Sequence, residues 1–128
     1  MSNIVRDKAV KFVISYEKKR GWDAEKMPNG AGYDVISKKD SKIRYIEVKG
    51  KSSKNIPFVH FHKDAFKKVG NQSGDMRKYF LYLVYNINKK PTLKIVPSST
   101  ILQNIELDAS FLLRGKAINT IEDSKDFP

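Results

Sequence analysis

The chain has 128 residues, of which 40% are hydrophobic and 11% aromatic, enough apolar material for one core and too much for wholesale disorder. It contains no cysteine, which excludes disulfides and thiolate metal sites, and no apolar run approaches the length of a membrane helix. Lysine and arginine outnumber aspartate and glutamate by 25 to 14, a net charge of +11, which points to a polyanionic partner, nucleic acid first.

The charge is uneven along the chain: residues 1–94 hold 22 basic and 9 acidic groups, residues 95–128 hold 3 and 5. The start lacks the charged-then-apolar pattern of a signal peptide, so a cytoplasmic location is the expectation. Residues 4–20 are predicted to form an amphipathic helix, because Val5, Ala9, Phe12, Val13 and Tyr16 recur at the spacing of one buried face. Lys18, Lys19 and Arg20 suit the negative end of its dipole, and Gly21 is a stop signal. Residues 22–27 read as a short strand ended by the turn Pro28-Asn29-Gly30.

Two strands follow, over residues 33–37 and 42–50, joined by Lys38-Lys39-Asp40-Ser41. Alternation along the second puts Ile43, Tyr45, Glu47 and Lys49 on one face and Arg44, Ile46 and Val48 on the other. Residues 51–55 are a basic loop, residues 58–61 a short strand and residues 63–68 the start of a helix. The run Tyr79-Phe80-Leu81-Tyr82-Leu83-Val84-Tyr85 is the strongest strand signal, apolar throughout and therefore expected to be buried on both faces. A strand over residues 92–96 closes at Pro97, Ser98-Ser99-Thr100 caps a short helix reaching residue 103, and the end is expected to fray from residue 121. The order helix, hairpin, helix, strand, strand implies an α/β (α+β) domain with a mixed sheet flanked by helices, one domain over residues 1–128 with an acidic extension from about residue 98.

The chemistry lies in the hairpin. Asp34 is followed thirteen residues later by Glu47-Val48-Lys49, and Glu47 and Lys49 project together, about 7 Å apart along a strand. Phosphodiester hydrolysis needs hard oxygen ligands for Mg²⁺, which polarises the phosphate and acidifies bound water. Asp34 and Glu47 supply carboxylates, the Val48 carbonyl a further oxygen, and Lys49 a cation that orients the water or offsets transition-state charge. The alternative is a structural ion pair of Lys49 with Asp34 or Glu47. Lys51 and Lys54 are candidates for phosphate contacts, with Lys38 and Lys39 in the hairpin turn weaker ones. His60 and His62 read as surface or capping residues, since neither a third histidine nor a cysteine accompanies them. Tyr79, Tyr82 and Tyr85 read as core.

The segments Gly30-Ala31-Gly32-Tyr33-Asp34-Val35-Ile36-Ser37 and Arg44-Tyr45-Ile46-Glu47-Val48-Lys49 resemble the PD-(D/E)xK nuclease superfamily. Within it they are most similar to the C-terminal domain of the plant protein NO VEIN, a domain widespread in bacterial defence and restriction proteins. Phe12-Val13-Ile14-Ser15-Tyr16-Glu17, Pro57-Phe58 and Tyr79-Phe80-Leu81-Tyr82-Leu83-Val84 extend the resemblance over roughly residues 5–97. It implies a restriction-endonuclease-like core of order α-β-β-β-α-β, with Asp34 and Glu47 as metal ligands and Lys49 as the catalytic lysine. It also implies a glutamate in the first helix just before the Phe-Val pair, where this chain has Val10-Lys11. Glu17, on the same helical stripe as Val10 and Val13, is one candidate substitute, against the alternative of a solvated helix charge, and Asp7 is a weaker one.

The expected function is therefore a Mg²⁺-dependent endonuclease, with Mn²⁺ able to substitute, acting on DNA before RNA in restriction or defence, as a homodimer or within a larger complex. The rival is a catalytically inactive nucleic-acid-binding or interaction module on the same scaffold.

Overall fold

The computed structural model describes residues 3–61, 74–104, 106–107 and 111–124. The first helix, α1, spans Asn3–Lys19 and stops where Gly21 adopts φ 85°. Its last carbonyls are satisfied by the turn that follows, with Gly21 N–H donating to Lys18 and Trp22 N–H to Glu17, the hydrogen-bonded exit that a glycine in the left-handed region permits.

Strands β1 (Asp23–Lys26), β2 (Val35–Lys39), β3 (Lys42–Gly50), β4 (Phe58–Phe61), β5 (Tyr79–Tyr85) and β6 (Thr92–Pro97) follow in chain order. Five of them form one sheet in the order β1-β2-β3-β5-β6. The β3–β5 pair is parallel and the other pairs are antiparallel. A parallel pair needs a long crossover, and the helix expected at residues 63–68 lies in that connection, outside the described residues. A turn of 3-10 helix, Met76–Lys78, leads into β5.

The short helix expected after Pro97 spans Ser98–Asn104, with Ser98 as its first residue. The end of the chain then builds a second sheet that the sequence did not announce. Strands β7 (Glu106–Leu107) and β8 (Phe111–Arg114) join β4 in the order β4-β8-β7, and a short helix, Gly115–Ile118, follows.

The central sheet separates two cores. On one face α1 lays Ala9, Val10, Val13 and Tyr16 against Val35, Ile46, Val48, Tyr82 and Val84. On the other, Tyr79, Leu81, Leu83 and Val96 pack with Val59, Ile101, Leu113 and Ile118. Strand β5 therefore serves both cores, which is why its sequence is apolar throughout. Its flanks Tyr79, Leu81, Tyr82, Leu83 and Val84 are essentially inaccessible to solvent.

Three boundaries differ from expectation. Strand β2 begins at Val35 rather than at residue 33, and it continues through Lys38 and Lys39, which pair with Ile43 and Lys42. The turn is thus only Asp40-Ser41, with Asp40 at φ 55°, a conformation that aspartate tolerates better than most residues. Residues 121–124 are tied down instead of frayed. Tyr85 donates to Asp123 at 2.7 Å, Lys94 pairs with Asp123 at 2.9 Å, and Tyr16 and Ser124 share a hydrogen bond of 2.7 Å. No described helix is long and apolar enough to cross a membrane.

Candidate active site

The site forms where β3 outruns β2. Antiparallel pairing ends at Val35 opposite Ile46, while β3 runs on to Gly50. Asp34 closes the exposed edge: its own N–H donates to the Ile46 carbonyl at 2.9 Å, and its carboxylate Oδ2 accepts the Val48 N–H at 2.8 Å. In an antiparallel ladder the N–H and C=O of one residue point to the same edge. The Val48 carbonyl accordingly faces the edge that β2 has vacated, beside the Asp34 carboxylate.

Glu47 and Lys49 leave β3 on the face opposite α1, as alternation requires, and Lys49 Nζ lies 3.4 Å from Glu47 Oε2. Asp34, Glu47, Val48, Lys49 and Lys51 line one cleft of about 490 Å³. Its remaining wall comes from the start of α1, where Arg6 Nη2 lies 3.0 Å from Asp34 Oδ1. The side chain of Glu47 is only 15% exposed. Burial, with the Asp34 charge adding to it, pushes the Glu47 carboxyl up to about 7, and Lys49 and Arg6 pull it only part of the way back. Two acids placed so that one resists ionisation are poised for a cation, which relieves both the desolvation and the repulsion. Burial first, and then the Glu47 and Asp34 charges, push the Tyr79 hydroxyl far above its ordinary range.

The donor set comprises two carboxylates and one main-chain carbonyl. These are hard oxygens, suited to Mg²⁺ or Mn²⁺ and unsuited to soft metals. Among the described residues no group of three or more His, Cys, Asp or Glu side chains converges to hold a metal.

The sequence expectation for Glu17 is corrected here. Glu17 is completely buried on the α1 face of the sheet, where its two oxygens accept from Arg44 Nη1 at 3.0 and 3.1 Å and Oε2 also accepts from the Tyr82 hydroxyl at 3.0 Å. Arg44 precedes Glu47 by three positions on β3, so alternation puts the two on opposite faces. Glu17 also lies eleven residues beyond Arg6, on the order of 16 Å along the helix. The beginning of α1, not its end, reaches the cleft. Asp7 is exposed on the same turn and does not line the cleft.

The candidate phosphate ligands divide. Lys51 lines the cleft. Lys54 is exposed in the loop after β3, outside the cleft lining. Lys38 and Lys39 sit at the far end of the hairpin, where Lys39 Nζ donates to the Arg20 carbonyl. His60 is exposed on β4, and His62 lies outside the described residues. Tyr79 and Tyr82 are core as expected, whereas Tyr85 is half-buried. Arg6 is the site residue that sequence reasoning missed. The signal was present, since Arg6, Ala9, Val10, Val13 and Glu17 form one helical stripe, with a cation at its start and an anion at its end.

Residues 5–96 match the family model described as Protein NO VEIN, C-terminal, a span that takes in Arg6, Asp34, Glu47 and Lys49. Among solved structures the chain is similar to Hjc of Archaeoglobus fulgidus, described as a Holliday junction resolvase from an archaeal hyperthermophile. The TM-score is 0.63 at 12% identity, covering 91% of this chain and 89% of that one. At that identity the likeness shows the fold, which is restriction-endonuclease-like. No curated protein sequence matches the chain.

Proposed function

The chain belongs to the NO VEIN C-terminal family, and on that premise we propose that it is a metal-dependent nuclease hydrolysing phosphodiester bonds, in DNA before RNA. One observation carries the reading. Asp34 and Glu47 meet in a single cleft, closely enough for the charge of one to oppose ionisation of the other, with the Lys49 ammonium beside them. A basic body of net charge +11 supplies the attraction for a polyanion.

Asp34, Glu47 and the Val48 carbonyl would hold Mg²⁺ or Mn²⁺, which when bound acidifies a coordinated water and polarises the phosphate. Lys49, tethered to Glu47, orients the attacking water and offsets the charge that develops on the phosphoryl oxygens. Lys51, farther along the same wall, takes the neighbouring phosphate. Lys54, Lys38 and Lys39 lie outside the cleft lining and contact the nucleic acid at a distance from the cut. Cutting both strands of a duplex takes two such clefts, which is the reason to look for a homodimer or a larger restriction or defence complex.

The test is cleavage of plasmid and short oligonucleotides in Mg²⁺ and Mn²⁺. Glu47→Ala and Lys49→Ala are expected to fold and to lose cleavage, and equal activity in either variant overturns the reading.

A second reading has a specific observation in its favour. The α1 position facing Asp34 holds a cation, Arg6, rather than an acid. On that reading the chain binds nucleic acid without cutting it, with steep salt dependence and no cleavage in any divalent cation.

A further inference from the structure

Beside the cleft lies an exposed aromatic step that the hydrolytic residues do not use. Lys51, which lines the cleft, holds its ammonium 5.9 Å from the centroid of the Phe58 ring. Phe58 is 42% exposed, one of two exposed large hydrophobic side chains among the described residues. Along β4 the fully buried Val59 points into the core, so Phe58 and His60 share the outward face. Their rings lie 4.8 Å apart, inclined at 46°, and His60 is exposed as well. Strand β4 is the edge of its sheet.

The base of this step is tied to a distant part of the chain. The Gly115 N–H donates to the Pro57 carbonyl at 2.5 Å, and a Cβ at Gly115 would come within 2.5 Å of the Ile56 carbonyl. Glycine is needed there because two backbones touch. Directly after them the chain presents an aromatic ring to solvent, next to a lysine shared with the cleft.

We propose that Phe58, flanked by His60 and Lys51, is a stacking platform for an unpaired nucleobase whose backbone runs into the Asp34–Glu47 cleft. The preferred substrate class is then nucleic acid with a single-stranded segment at the cleft. The chemistry is specific on this point. Inside a continuous duplex both faces of every base are covered by neighbours, so only an unstacked base offers a π-face to Phe58. Stacking on an aromatic ring accepts any base, and an adjacent cation holds the backbone. The inference rests on the nucleic-acid reading of the cleft and adds the kind of strand the cleft receives.

The experiment measures binding rather than cutting. The full chain carrying Glu47→Gln, without divalent cation, is titrated by fluorescence anisotropy with labelled oligothymidylate, a blunt duplex of equal length, and that duplex with a single-stranded tail. Phe58→Ala, Phe58→Leu and Phe58→Trp are compared, each with a thermal melt to establish that it folds. Tighter binding of the single-stranded and tailed probes is expected. Phe58→Ala and Phe58→Leu should lose about tenfold on those two probes, within the range for one base–aromatic stack, and little on the blunt duplex, while Phe58→Trp retains affinity. An equal loss on all three probes, no loss at all, or full affinity in Phe58→Leu overturns the inference. The last result would mark Phe58 as a plain apolar contact that needs no ring. Failure of the wild-type chain to cleave in Mg²⁺ or Mn²⁺ counts against the nuclease reading alone, because these titrations do not depend on cleavage.

Discussion

Arg6 reaches from the first turns of α1 to within 3.0 Å of the Asp34 carboxylate, so the cation nearest to this acid is supplied by the protein itself. The pair couples the position of α1 to the state of the cleft. The same carboxylate accepts the Val48 N–H, and hence Asp34 at once ends a strand pairing, holds a helix and faces the cleft. A divalent ion binding to Asp34 must compete with Arg6 for it.

Removing that competitor should tighten metal binding modestly. Arg6 is 56% exposed, and solvent-screened pairs contribute at most about 1 kcal/mol. Arg6→Ala is therefore expected to raise Mn²⁺ affinity by no more than about fivefold, measured by isothermal titration. Arg6→Glu adds a third carboxylate at the same place and should raise it further. Weaker Mn²⁺ binding by Arg6→Glu than by the wild type would refute a metal site at Asp34.

The metal-free protein should lose stability as pH rises through Glu47 ionisation. The Glu47 carboxyl stands at about 7 when folded, against an ordinary value of 4.5, so between those values the folded chain holds more protons than the unfolded chain. This contribution is fully present below pH 4.5 and is lost as pH passes 7, a change of about 3 kcal/mol at one pKa unit per 1.36 kcal/mol. Glu47→Gln should remove that slope and unfold at a higher urea concentration than wild type at pH 8. Urea melts of both proteins at pH 5 and pH 8, without metal, are the measurement. The same ionisation makes Mg²⁺ binding strengthen as pH rises through 7.

Glu17 is expected to matter for folding and not for metal. Replacing it with Ala leaves the part-exposed Arg44 without the carboxylate that meets it at 3.0 Å and the Tyr82 hydroxyl without its acceptor, a cost of about 1–3 kcal/mol. Calorimetry should show a fall in Tm for Glu17→Ala. The milder Glu17→Gln should keep wild-type Mn²⁺ affinity. A loss of Mn²⁺ binding in a folded Glu17→Gln protein would restore Glu17 to the ligand set.

Gly50, the residue after Lys49, is where α1 rests on β3. A Cβ there would lie 2.9 Å from the Ala9 Cβ and 3.1 Å from Val5 and Ile87 side-chain atoms. Gly50→Ala is predicted to cost about 1–3 kcal/mol through overpacking and to displace the helix that carries Arg6. Ala9→Gly in the same chain should recover part of the loss, as read from denaturant midpoints, because the two changes share one contact.

Much of this was legible in the sequence because it depends on local periodicity. Alternation put Glu47 and Lys49 on a common face away from Ile46 and Val48, the 3.6-residue period marked the α1 stripe, and the unbroken apolar run identified the doubly buried β5. The limits of β2 were less legible, because Asp34 substitutes its side chain for a strand bond to Val48, and only pairing reveals that exchange. Assignment of the helix partner failed for a related reason. Arg6 and Glu17 sit on one stripe, and the stripe does not say which end lies over the cleft.

The sequence by itself thus determined that Glu47 and Lys49 share one face of β3, opposite Ile46 and Val48. Only the tertiary structure decided what surrounds the cleft: Arg6 rather than Glu17 beside Asp34, and Phe58 beside Lys51. The physical reason is that side-chain direction is a property of a few consecutive residues, whereas these neighbours are set by packing between distant segments. The close fit of Ala9 over Gly50 sets the helix on the sheet, and the pairing of β8 with β4 brings residues 111–114 back to hold Phe58 at the rim.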